Sequence, residues 1–193
     1  TAGDITTVAD NITFESAVSL SGDVLLNSGT GAGTIAFKDT LNGGQTLGLT
    51  AGTGSIDFDG IVGGTTPLAA VTITSAADTT ADLAFSAASL RQVAGSGTTT
   101  FSGALNTTAA AGINVDGTNF AFGAITSTLG DLDIDATGTG TVGFNGAVAM
   151  NDTGTGTGLV TVTNAGLPTI AAAGDMASPG AVLQDGPGDV WPA

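Results

Sequence analysis

Cysteine, histidine and tyrosine are all missing from this 193-residue chain. Without cysteine there are no disulfides, no thiolate metal sites and no cysteine nucleophile. Without histidine a serine hydrolase lacks its usual base. Lys38 and Arg91 are the only basic residues. That excludes the clustered cations that neutralise nucleic-acid phosphates, and it sets the chain against an anionic membrane surface. No apolar run approaches the ~20 residues of a transmembrane helix, so membrane insertion is not expected. Thr1 opens in mid-pattern, with no basic and apolar leader, as a mature form or an excised piece of a longer chain would. Tryptophan occurs once, as Trp191. A paired-carboxylate glycosidase would therefore lack the aromatic platforms of a carbohydrate cleft. No enzyme is expected.

What is present is acidic and glycine-rich. There are 17 acids against two bases, a net charge of −15, and Glu15 is the only glutamate. Glutamate and lysine, the usual residues of exposed helices, are nearly absent. Aspartate, asparagine, glycine and threonine fill the polar positions, as in turns and strands. Glycine contributes 32 residues, well above the usual share of about 7%. Hydrophobic residues nonetheless reach 41% and alternate with polar ones, which acidic disordered chains do not do.

One frame recurs. It reads NITFESAV at 11–18, TIAFKDTL at 34–41, SIDFDGIV at 55–62, TTTFSGAL at 98–105, NFAFGAIT at 119–126 and TVGFNGAV at 141–148. Seven of the eight phenylalanines, Phe14, Phe37, Phe58, Phe85, Phe101, Phe122 and Phe144, follow one another at intervals of 23, 21, 27, 16, 21 and 22. The residue two before each is mostly apolar, the alternation of a strand with one buried face. A second strand signal lies between the frames: Val24-Leu25-Leu26, Leu47-Gly48-Leu49, Val71-Thr72-Ile73, Ile113-Asn114-Val115, Leu132-Asp133-Ile134 and Val160-Thr161-Val162. Glycine-rich turns separate the signals.

A period near 22 with two or more short strands per unit predicts an all-β, parallel β-solenoid. Each phenylalanine then fills the same interior slot of successive coils. With coils about 4.8 Å apart, seven such rungs make a core on the order of 30–35 Å long. The intervals of 27 and 16 around Phe85 predict one displaced strand, with residues 75–97 holding an altered rung, a bulge or a lateral loop. A β-sandwich adhesin module is the alternative fold, but it does not account for the near-constant spacing. The repeat array is expected over 1–166. Four of the five prolines and Trp191 follow it, so 167–193 is expected to be a cap, a linker or a docking tail with Trp191 as anchor.

Three candidate sites stand out. Asp131, Asp133 and Asp135 alternate with Leu132 and Ile134, so they share the outer face, where Ca²⁺ would relieve their repulsion. A solvated acidic face is the plainer reading. Asp57 and Asp59 form a smaller pair. The calcium-binding nonapeptide is not intact: Gly52-Thr53-Gly54-Ser55-Ile56-Asp57 carries its aspartate one residue late. The pairs Thr72/Thr74, Thr98/Thr100 and Thr161/Thr163 suggest an ice-binding threonine array. No single frame position is threonine throughout, and ordinary strand exteriors explain them.

The F-x-G-A-V/L frames (FSGAL, FNGAV, FDGIV) and VGGTTPLAAVTIT, over about residues 10–165, resemble bacterial surface proteins with tandem β-strand repeats, the filamentous-haemagglutinin-like and autotransporter-like adhesins. The resemblance implies an exported, extracellular or cell-surface protein, a right-handed β-helix, and a role in adhesion or scaffolding. It supplies no functional residues. The expected partners are other copies stacked end to end into a filament, or flanking repeats of a longer chain. A calcium- or polysaccharide-binding module is the alternative function.

Overall fold

The computed structural model describes residues 3–150 and 158–164, together with the strands Ala171–Ala172, Met176–Ala177 and Val182–Asp185. Among the described residues there is no helix, and every strand pairing is parallel. The chain is a β-solenoid with three strands per coil, not a sandwich, whose sheets would be antiparallel.

The three sides follow the three apolar signals. The phenylalanine side stacks Ile12–Phe14, Ile35–Phe37, Ile56–Phe58, Thr79–Ala81, Thr98–Phe101, Asn119–Phe122, Val142–Phe144 and Ala171–Ala172. The long side stacks strands that end at Thr6, Asn27, Thr50, Ser75, Gln92, Gly117 and Ala136, which mark coils one to seven. Val160–Asn164 and Val182–Asp185 continue it. The short side runs through Val18, Leu41, Val62, Phe85, Leu105, Ile125 and Val148. Leu68–Ser75 and Phe85–Gln92, eight residues each, run straight from the short side into the long side. Within 167–193, the three short strands pair in parallel with the coil before them.

Inward residues repeat down the axis in register. On the long side Val24, Leu47, Val71, Leu90, Ile113, Leu132 and Val160 form one ladder. Leu26, Leu49, Ile73, Gln92, Val115, Ile134 and Val162 form the next. A parallel strand cannot bury its face alone, so this stacking is what makes each coil stable.

Six of the seven expected phenylalanines occupy one ladder, and Phe85 does not. In coil four the slot belongs to Ala81, paired with Phe58 before it and Phe101 after it. Phe85 lies four residues on, in the short-side ladder between Val62 and Leu105. Its ring still reaches the vacancy left by the small Ala81. It stands edge-on between Phe58 and Phe101, with centroids 5.4 and 5.3 Å away and interplanar angles of 81° and 90°. The regular neighbours are stacked instead: Phe14 on Phe37 at 5.0 Å and Phe37 on Phe58 at 5.3 Å. Both geometries are favourable for aromatic quadrupoles. Leu83, which fits the apolar frame before Phe85, points outward and is 48% exposed.

The glycine of the F-x-G frame has a steric cause. A Cβ at Gly60, Gly103 or Gly146 would collide with the backbone of the preceding coil at Asp39, Leu83 or Ala124. In these coils the backbones approach too closely at this corner for a side chain, whereas Ser16, Asp39 and Ala124 hold the same frame position in other coils.

Candidate functional site

The aspartate triplet lies on the outer long side of coil seven. Leu132 and Ile134 are fully buried in the ladders, so Asp131, Asp133 and Asp135 face outward as their alternation predicts. Alternate residues of a strand are about 7 Å apart, so the triplet is spread along the strand. Among the described residues no group of three or more acidic side chains converges as a metal cage would require.

Two of the three carboxylates have protein partners. Asp131 Oδ1 accepts the Leu159 N–H at 2.8 Å. Asp133 Oδ2 accepts Asn114 Nδ2–H at 2.9 Å from the adjoining coil. Asp135 stands in register beside Asp116. Burial pushes the Asp116 carboxyl above the usual aspartate range; Asp135 adds to the rise and Arg91 opposes it. Asp131, Asp133, Asn114 and Thr161, together with Ile113 and Leu159, line an open cavity of about 250 Å³. Its chemistry is that of hydrogen-bond acceptors with a few hydroxyl and amide donors.

Asp57 and Asp59 serve separate ends. Asp59 pairs with Lys38 at 2.9 Å, both side chains 41% exposed. Asp57 lies between Ala36 and Thr80 in the outer ladder. Its carboxyl is raised chiefly by burial, against the pull of Lys38. The threonine pairs form no continuous array, since Thr72 is followed along its ladder by Arg91, Asn114 and Asp133. Trp191 lies outside the described residues.

A recurrent role of aspartate and asparagine was not apparent from the sequence. The side chain before or at the start of a strand accepts a backbone N–H from the same position one coil later. Leu25 donates to Asp4, Thr34 to Asn11, Thr46 to Asp23 and Thr98 to Asp78, each at 2.8 Å; Thr141 donates to Asn119 at 3.0 Å. Asp131 with Leu159 belongs to this series. Parallel ladders leave amides unmatched where a strand begins, and these side chains supply the missing acceptor. A side chain with one methylene spans a single coil spacing, and glutamate overshoots it. That is a physical reason for aspartate at positions 4, 23, 78 and 131. The only advance signal is Asx directly before an inward residue of a strand.

Set against protein-family models, curated proteins and solved structures, the chain returns no match. Fold and surface define its class: a three-sided parallel β-solenoid with an acidic exterior.

Proposed function

We propose that the chain is a non-catalytic structural segment of an extracellular surface protein, working as a filament subunit or as a stalk of a larger adhesin. One observation carries this reading. All three sheets run along one axis, and in coil one Ile5–Thr6, Ile12–Phe14 and Val18–Ser19 each pair on one side only among the described residues. An unpaired parallel edge is a template for further strands. The partner it favours is therefore another coil, either from flanking repeats or from a second copy stacked end to end. No helix among the described residues is long and apolar enough to cross a membrane.

Negative-stain electron microscopy at two protein concentrations tests the proposal. Filaments that lengthen with concentration support the homopolymer, and short uniform rods support the stalk segment. Compact particles with no rod form would refute both.

A second reading, a calcium- or polysaccharide-binding module, is favoured by the cavity beside Asp131 and Asp133. Titration with calcium or with acidic and neutral glycans, read by calorimetry on the wild type and on Asp133→Asn, tests it. Heat that disappears in the variant supports a site there, and flat titrations count against it.

A further inference from the structure

A solenoid of similar coils has a folding hazard: a coil can pair with the next but one and expel the coil between as a loop. Inward ladders of leucine, isoleucine and valine do little to prevent it, because every register buries similar apolar area. Coil five carries a device that discriminates. Gln92 takes a place held elsewhere in its ladder by Leu26, Leu49, Ile73, Val115, Ile134 and Val162. It is 1% exposed. Its Oε1 accepts the Thr99 hydroxyl at 2.9 Å, and its Nε2 donates to the Asp116 carbonyl of coil six at 3.2 Å.

The amide fits because glycine surrounds it. A Cβ at Gly95 would stand 2.6 Å from Nε2, and a Cβ at Gly117 of coil six would stand 3.0 Å from it and 3.0 Å from the Phe120 ring. In coil seven the position of Gly117 is held by Ala136. If coil five paired with coil seven, the Ala136 methyl would crowd the buried amide and weaken its bond. An interior amide that loses its partner is costly.

We propose that Gln92, Thr99 and Gly117 form a register lock that ties coil five to coil six and to no other coil. Its contribution is to specificity and not to net stability, as a buried polar group in an apolar ladder can be.

The absence of cysteine makes the test direct. Thr100 pairs with Ala121, and Ala121 with Gly143, on the outer phenylalanine side. A Thr100→Cys/Ala121→Cys pair reports the native register. A Thr100→Cys/Gly143→Cys pair reports the slipped one, because native strands two spacings apart lie beyond the reach of a disulfide. After unfolding and oxidative refolding, the slipped cross-link should stay rare with the lock intact. With Gln92→Leu/Thr99→Val it should rise by about tenfold or more, with the melting temperature unchanged or higher. As an independent measure, Gly117→Ala should lower the melting temperature more beside Gln92 than beside Gln92→Leu, where only the crowding of the Phe120 ring remains. A lock-free chain that refolds with the native cross-link alone would overturn the proposal. So would equal effects of Gly117→Ala in both backgrounds, or a lock-free chain that no longer refolds.

Discussion

Asp78 shows how one side chain joins two coils. Its Oδ1 accepts the Thr98 N–H at 2.8 Å, and that amide has no ladder carbonyl to replace it. Asp78→Ala should cost about 1–2 kcal/mol, Asp78→Asn should stay near wild type because it keeps the acceptor, and Asp78→Glu should fall with the alanine variant. Denaturant melts give the energies, and faster hydrogen exchange at the Thr98 amide locates the loss. Asp57 behaves differently. Burial raises its carboxyl in the folded state, so the native chain holds that proton more tightly than the unfolded chain does. The penalty is therefore complete at neutral pH. It is relieved as pH falls through the raised folded value, and relief is complete below the ordinary aspartate value. Asp57→Asn should melt higher than wild type at pH 7, and the gap should close on acidification through that window.

Ala81 and Phe85 divide between two strands the job that one phenylalanine does in the other coils. Truncating Phe85 to alanine opens the core between Phe58 and Phe101 and should cost about 3–5 kcal/mol. Ala81→Phe alone overpacks the slot that the Phe85 ring already enters and should cost about 1–3 kcal/mol. Combined with Phe85→Leu, which matches Leu105 beside it, Ala81→Phe should recover to within about 1.5 kcal/mol of wild type. Thermal melts of the single and double variants measure this coupling. The same coil marks the limit of the sequence reading. The period and the inward sets were legible because side chains repeat every second residue in a strand and every coil along the chain. In coil four that signal is weak: the true frame is Thr79-Thr80-Ala81, with a buried threonine whose hydroxyl has no partner. Leu83-Ala84-Phe85 mimics the frame one corner later. The aspartate triplet was legible as an outer face for the same alternation. The bonds of Asp131 to Leu159 and of Asp133 to Asn114 were not, because they join residues one coil apart.

Across the whole molecule the acids are crowded by the fold itself. The chain has seventeen acids against two bases, and those among the described residues lie on coils spaced about 4.8 Å apart, well inside the screening length of about 10 Å at 0.1 M salt. Asp116 and Asp135 are direct neighbours in register, and the Lys38–Asp59 pair is too exposed to offset such repulsion. Folding brings these charges together and unfolding separates them, so screening must favour the folded chain. The melting temperature should rise from dilute buffer to about 0.5 M sodium chloride. Calcium chloride at matched ionic strength then separates the structural role from a calcium-binding one. Screening depends on ionic strength, whereas a specific site adds a further term set by ligand concentration and affinity. For a structural segment the two salts should give the same rise. A larger rise with calcium, abolished by Asp131→Asn and Asp133→Asn together, would make the cavity beside coil seven a cation site and favour the binding module.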